Sequence, residues 1–149
     1  MIGEPLQILL VEDNQDHAEL VLRSLVNHRV ANTVHHVVDG EAALDYLHRR
    51  KQYADEKKYP RPHLILLDLR LPKIDGLQVL RELKQEEGLR RIPVVVLSTS
   101  EAEQDVAKAY DYHANSYLVK PVSFLSFTKL LDDLGFYWLA WNTKPVVTD

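Results

Sequence analysis

The sequence contains no cysteine, which excludes disulfide bonds, a thiolate nucleophile and a cysteine-based zinc site. It has no apolar run near the roughly 20 residues of a membrane span. The N-terminal stretch MIGEPLQILLVED lacks the basic region of a signal peptide. The net charge of -4 gives no electrostatic reason to expect nucleic-acid binding. We therefore expect a cytoplasmic protein that binds neither nucleic acid nor membrane.

What is present suits one ordinary domain. The 149 residues are 46% hydrophobic and 27% charged, as in a typical globular protein. A chain of this length buries about 68–70% of its unfolded surface. We find no internal repeat and no low-complexity segment.

Strand-like and helical patterns alternate five times along the chain. The predicted strands are short apolar or β-branched runs at 6–11, 33–38, 64–67, 93–97 and 116–119. Apolar residues at helical spacing follow each run, and Asn14 or Asp16 is available to cap the first helix. The alternation predicts an α/β fold in which helices cover both faces of a parallel sheet.

Four of the five predicted strands end in a chemically useful group. These groups are Glu12-Asp13, Asp68, Ser98 and Lys120. Right-handed crossovers bring the carboxyl ends of parallel strands to one edge, where α/β proteins bind ligands. We therefore expect three carboxylates, a hydroxyl and an ammonium in one crevice.

This combination favours phosphoryl transfer. Three close carboxylates repel one another unless a cation is present, and oxygen ligands with water favour Mg²⁺. A carboxylate can attack phosphorus, while a metal and a lysine neutralise the phosphoryl oxygens. Alone, Asp13 or Ser98 could be a helix cap and Lys120 an ordinary ion-pair partner. The four groups in this order are far more specific.

The blocks LLVEDN, LILLDLRLPKIDGL, VVVLSTS and YLVKP resemble the signature of response-regulator receiver domains (CheY-like). The resemblance covers about residues 6–134 and implies a flavodoxin-like (βα)5 doubly wound sheet of order 2-1-3-4-5. It implies a single receiver domain over 1–149, with residues 135–149 as an aromatic C-terminal extension.

The resemblance also implies roles for the residues of the crevice. Asp68 would be the phosphoacceptor and Lys120 would bind the phosphoryl group. Mg²⁺ would be bound by Asp68, by Asp13 directly, by Glu12 through water and by the backbone carbonyl of Arg70.

Three further expectations concern the switch that follows phosphorylation. Ser98 would be the switch hydroxyl and Tyr117 the switch aromatic. The peptide bond between Lys120 and Pro121 would be cis, an intrinsically minor isomer, and would help to aim Lys120.

Two features depart from the family pattern. His113 stands where the family often has glycine, so it carries strain if its backbone is left-handed.

Asp13 and Asp68 are also separated by more residues in the sequence than in a minimal receiver, and the additional residues coincide with segment 48–62. Six of its fifteen residues are Lys or Arg. A frayed helix end with an exposed linker is the favoured interpretation, and a basic partner-binding loop is the alternative.

Little sequence remains for an output domain, so signalling by protein–protein interaction is expected. The C-terminal aromatic residues either pack on the domain or form an interface; the candidates are Phe136, Tyr137, Trp138 and Trp141. With the long second helix and the sequence HAN at 113–115, this end resembles the stand-alone receivers of cyanobacterial phytochrome histidine kinases. That resemblance implies a homodimer through the fourth helix, fifth strand and fifth helix.

The predicted function is therefore a response regulator that takes a phosphoryl group from a sensor histidine kinase, and not an enzyme acting on a metabolite. A degenerate receiver acting as a scaffold is the alternative. An aspartyl phosphohydrolase would need a second carboxylate where Arg70 stands. A flavodoxin-like cofactor binder would need a Gly/Ser/Thr-rich loop where Glu12-Asp13-Asn14 stands.

Overall fold

The computed structural model describes residues 6–26, 32–99 and 103–120, together with five single positions between 123 and 133. The strands are β1 (Leu6–Val11), β2 (Asn32–Val37), β3 (Leu64–Leu67), β4 (Val94–Ser98) and β5 (Ser116–Val119). The helices are α1 (Gln15–Val26), α2 (Gly40–Leu47), α3 (Gly76–Gln85) and α4 (Glu103–Asp111), with a 3₁₀ turn at Lys51–Tyr53. The predicted order of elements is confirmed through β5. The predicted fifth helix and the tail at 136–149 lie almost wholly outside the described residues.

The five strands form one sheet in the order β2-β1-β3-β4-β5, and every neighbouring pair is parallel. Because β1, β3 and β4 lie inside the sheet, their side chains are buried on both faces. This explains why they appear in the sequence as continuous apolar runs. The doubly wound order is the one that the family resemblance implied.

The side chains of the inner strands alternate between two hydrophobic cores. One core contains Leu9, Ile65 and Val96 and packs against α2, α3 and α4. The other contains Leu10 and Leu66, and there α1 covers the sheet through the set Ala18, Val21 and Leu25. Helices therefore cover both faces, as predicted.

Side chains at the helix starts direct the chain out of the sheet. Asn14, rather than Asp16, caps α1, because its Oδ1 accepts from the His17 amide at 3.1 Å. Asp39 and Asp75 cap α2 and α3 in the same way. Asn14 and Asp39 come soon after the carboxyl ends of β1 and β2, and Asp75 ends the loop that follows β3.

The loop between β3 and α3 is held close to the sheet by glycine. A Cβ on Gly76 would lie 2.2 Å from the carbonyl oxygen of Asp68, and one on Gly40 would lie 1.9 Å from that of Ile74. Real side chains do not approach so closely. Both positions therefore require glycine to let the start of α2 and the loop after Asp68 pack together.

Segment 48–62 is exposed over much of its length, as the linker interpretation expects, but it also makes contacts that this interpretation did not include. The hydroxyl of Tyr46 donates to the Pro60 carbonyl at 2.9 Å. The rings of Tyr46, Tyr53 and Tyr59 meet with centroids 5.0 to 5.8 Å apart. Contacts of the partly buried Tyr53 and Tyr59 with the buried Tyr46 thus fold the segment back on α2. Arg49 pairs with Glu56 at 2.7 Å.

The backbone of His113 is left-handed, with φ at 68°. His113 is therefore expected to carry the backbone strain that a non-glycine residue has in this conformation.

The peptide bond before Pro121 lies outside the described residues, so its isomer stays a prediction. Within the described part of the chain, no helix combines the length and the apolar character needed to cross a bilayer.

Candidate functional site

Backbone hydrogen bonds continue past the strand ends and set the base of the site. The amide of Glu12 donates to Val37 at 3.1 Å, and that of Asp68 donates to Val11 at 3.0 Å. The amide of Lys120 donates to the Ser98 carbonyl at 2.7 Å. The side chains predicted to meet therefore begin from one edge of the sheet, whose backbone is held by hydrogen bonds.

An acidic cluster lies at the centre of this edge. Glu12, Asp13 and Asp68 each place a carboxylate oxygen within 4.8 Å of the other two. Glu12 and Asp68 are buried, while Asp13 is exposed. Oxygen ligands from a few carboxylates, with one side open to water, suit a hard divalent cation. The residues present therefore fit the metal that the fold implies.

Lys120 reaches the cluster from β5. Its Nζ donates to Glu12 Oε1 and lies 3.4 Å from Asp68 Oδ2. The side chain is only 1% exposed, so its charge is satisfied by these partners and not by water. The ammonium thus stands beside the carboxylate that would carry a phosphoryl group.

Burial also changes the acidity of the cluster. Burial raises the pKa of Glu12 to about 7, an effect that the hydrogen bond and charge of Lys120 oppose. The negative charge of Asp68 also raises the pKa of Glu12. Because close carboxylates repel one another, the site favours binding of a cation.

His17 is a neighbour of the site that the sequence did not indicate. It lies in the first turn of α1, and its Nδ1 is 3.0 Å from Lys120 Nζ and 3.9 Å from Glu12 Oε1. Burial, and then the Lys120 charge, lower the pKa of His17. No local sequence pattern indicates this contact, because His17 and Lys120 are 103 residues apart in the sequence.

The other predicted residues that the structure describes are Arg70, Ser98 and Tyr117, which lie in the loop after β3, in β4 and in β5. The Arg70 amide lies 3.4 Å from Asp68 Oδ1, and its guanidinium pairs with the buried Asp105 of α4. Ser98 is fully buried at the end of β4. Tyr117 is half-buried and packs against the first core. The cluster, the lysine, the hydroxyl and the loop are thus brought to one edge.

A parallel sheet of this order with these carboxylates and this lysine at its carboxyl edge defines a phosphoacceptor domain. The family model described as "Response regulator receiver domain" matches residues 8–132. The chain belongs to this family.

Individual relatives cover nearly the whole chain. The "Probable methanogenesis regulatory protein FilR2" of Methanothrix harundinacea is 46% identical over 95% of this chain and 89% of its own. The response regulator Rcp1 of Synechocystis is 42% identical over 95% of this chain and 94% of its own.

Two solved structures are similar to this chain over nearly its whole length. The Mn²⁺-bound form of Rcp1 has a TM-score of 0.91 at 42% identity, covering 95% of this chain and all of that one. The phosphorylated cyanobacterial phytochrome response regulator RcpA has a TM-score of 0.91 at 41% identity, covering 96% of this chain and all of that one.

Proposed function

We propose that this protein is a single-domain response regulator that accepts a phosphoryl group on Asp68 from the phosphohistidine of a sensor histidine kinase. One observation carries the proposal. Asp68 lies among two further carboxylates and 3.4 Å from a buried ammonium, the arrangement that phosphoryl transfer to a carboxylate needs.

The transfer step balances without a further reactant. A carboxylate oxygen of Asp68 forms the new O–P bond as the N–P bond of the kinase phosphohistidine breaks. The departing imidazole keeps the electron pair and takes up a proton. Hydrolysis reverses the modification, since water attacks phosphorus and releases phosphate from the Asp68 carboxylate.

Lys120 supports this step by its position. Its buried ammonium would donate to a phosphoryl oxygen as negative charge develops there. The Glu12 carboxylate holds the ammonium beside Asp68. The protein thus contributes a fixed positive charge that needs no rearrangement.

Mg²⁺ is the metal that we propose for the site. Glu12, Asp13, Asp68 and the backbone carbonyl of Arg70 would hold it. When bound, the ion neutralises the carboxylates and the transferring phosphoryl group. Support comes from the all-oxygen acidic cluster and from the Mn²⁺-bound form of Rcp1.

The response would travel through Ser98 and Tyr117 to the surface formed by α4 and β5. Ser98 ends β4 beside Lys120, and Tyr117 links β5 to the core. A phosphoryl group can shift the protein only toward the conformation that it binds better. The output would be a changed protein–protein contact rather than turnover of a metabolite.

A phytochrome-type kinase is the partner that we propose. RcpA is a phytochrome response regulator, and two bacteriophytochrome response regulators share 43% and 44% identity with this chain. FilR2 is 46% identical and carries a different description, so identity alone does not select the kinase. A phosphotransfer screen that pairs light-sensing with other histidine kinases tests the choice.

We also propose that residues 1–149 form one receiver domain that dimerises through α4, β5 and the C-terminal region, including Phe136, Tyr137, Trp138 and Trp141. Two described side chains support this surface. Tyr110 of α4 is 50% exposed and Leu125 is 78% exposed, and large exposed apolar groups favour association.

Labelling with acetyl phosphate and Mg²⁺, followed by intact-protein mass spectrometry, tests the phosphoacceptor. Wild type and the control Asp111→Asn, a change on an exposed aspartate at the end of α4, should gain one phosphoryl group. Asp68→Asn should gain none. Equal labelling of Asp68→Asn would refute the assignment, and an unlabelled wild type would favour the scaffold alternative.

A further inference from the structure

Among the residues that the structure describes, three polar groups surround the buried ammonium of Lys120. They are the Glu12 carboxylate, His17 Nδ1 at 3.0 Å and Asp68 Oδ2 at 3.4 Å. A lysine ammonium has three N–H donors and no acceptor. The three neighbours therefore match the three donors, and together they define the direction of the charge.

The contact with His17 is directional for a chemical reason. Because the ammonium can only donate, Nδ1 must accept through its lone pair, and the ring proton must be on Nε2. His17 is therefore a neutral acceptor and not a second cation beside Lys120. It differs in this from the two carboxylates, which also attract the ammonium by charge.

Two hydrogen bonds hold the backbone that carries His17. The His17 amide donates to Asn14 Oδ1 at 3.1 Å, while the Asn14 amide donates to Glu12 Oε2 at 3.2 Å. The first turn of α1 is thus tied to the same glutamate that binds Lys120. The His17 side chain is 28% exposed, so it lies at the rim and covers the ammonium from solvent.

We propose that His17 is a positioning residue for phosphoryl transfer, because it holds the Lys120 ammonium in the direction from which a phosphoryl oxygen on Asp68 is bound. This inference rests on the proposed function. Glu12 and Asp68 alone would leave one N–H free to turn the ammonium away, and His17 removes that freedom.

The test compares His17→Leu, which removes the acceptor, with His17→Asn, whose Oδ1 can replace Nδ1. The matched control is His48→Leu, which lies just beyond α2 near Glu86. A hydrogen bond to a charged group predicts that His17→Leu slows Asp68 phosphorylation by acetyl phosphate by about tenfold. His17→Asn should recover most of the wild-type rate, and His48→Leu should not change it.

The outcomes separate the two proposals. If His17→Leu is phosphorylated as fast as wild type while Asp68→Asn remains unlabelled, the positioning role is wrong and the phosphoacceptor stands. An unlabelled wild type overturns both.

A second measurement does not depend on labelling. Nitrogen NMR of the imidazole of His17 should find the ring proton on Nε2 alone. In Lys120→Met the Nδ1 resonance should move, because its donor is gone. A proton on Nδ1 in the wild type, or no change in Lys120→Met, would overturn the proposed contact.

Discussion

At the scale of single residues, the chain places charge where solvation is poor and supplies partners in the same place. Glu12 and Lys120 are both almost fully buried, and each is the other's hydrogen-bond partner. Breaking such a pair by removing one member leaves an unpaired buried charge and costs about 3–5 kcal/mol. The site is therefore sensitive to single substitutions that remove charge.

Lys120→Met is a direct prediction from this pair. Removal of the ammonium leaves the Glu12 carboxylate without its donor, so at pH 8 the metal-free variant should be less stable than wild type by about 3 kcal/mol, the low end of that range. Urea unfolding measures the difference. Because Glu12 can take up a proton to avoid the unpaired charge, a loss below 1 kcal/mol at pH 5 and a larger one at pH 8 is the expected pattern. A stability equal to that of wild type at pH 8 would contradict the pairing.

His113 permits a prediction about backbone strain. Its φ of 68° costs an L-residue about 1 kcal/mol or more. His113→Gly should therefore be more stable than His113→Ala by about 1 kcal/mol, reduced by the greater freedom of glycine in the unfolded chain. The alanine variant is the control, since both changes remove the imidazole. Equal urea midpoints would show that the position bears no strain.

At the scale of elements, loops and helices are joined by polar side chains that sequence patterns do not display. Lys84 of α3 donates to the carbonyls of Arg90 and Ile92 at 3.0 and 2.7 Å. It thereby fastens the turn that leads into β4. Arg70 of the β3–α3 loop pairs with Asp105 of α4, which joins the loop after Asp68 to the helix of the proposed output surface.

Because Lys84 is largely buried, we expect the free energy of unfolding to depend on pH. Burial lowers the pKa of Lys84 to about 8, whereas a lysine in an unfolded chain titrates near 10.4. Between these values the unfolded chain binds the proton and the folded chain does not. Stability should therefore rise as pH increases from 8 to 10.

Urea unfolding at pH 8, 9 and 10 tests this dependence. The stability of wild type should increase over the range relative to Lys84→Met, which has no ammonium. Lys108→Met, a matched change at an exposed position of α4, should keep the wild-type slope. A parallel pH dependence for wild type and Lys84→Met would contradict the prediction.

The Arg70–Asp105 pair can be measured by a double-mutant cycle. Arg70 is 59% exposed and Asp105 is 8% exposed, so solvent screening limits the coupling to about 1 kcal/mol. Arg70→Met, Asp105→Asn and the double variant should show this coupling in urea unfolding. Strictly additive effects would mean that the loop and α4 are not energetically joined.

At the scale of the whole molecule, the two edges of the sheet differ. Tyr110 lies on α4, the helix that leads into the edge strand β5, while Val38, 49% exposed, follows β2 at the other edge. In the sequence, both tryptophans and all three phenylalanines follow Lys120, the residue that comes directly after β5. This concentration of aromatic residues in the sequence is the basis of the proposed dimer.

Sedimentation velocity tests this proposal. Tyr110→Glu and deletion of residues 136–149 should each weaken self-association by about tenfold or more, because a charge or lost aromatic area at an interface costs over 1 kcal/mol. Val38→Glu is the control on the opposite edge and should sediment as wild type does. A dimer that survives both changes, with and without phosphorylation, would exclude this interface.

Much of the fold could be predicted because apolar runs and turns are local features. The inner strands are buried on both faces, so each appears as an apolar run, and the groups that follow them had to meet at one edge. The contacts of segment 48–62 could not be predicted in this way. Tyr53 and Tyr59 contact each other across a loop, and such a contact depends on the tertiary structure and not on the local composition.

By itself, the sequence determined the alternation of strands and helices and the carboxylates at Glu12, Asp13 and Asp68, because strand direction alone brings strand ends together. Only the tertiary structure decided that His17 contacts Lys120. That contact joins residues more than a hundred positions apart, and no local pattern encodes the angle at which a helix meets a sheet.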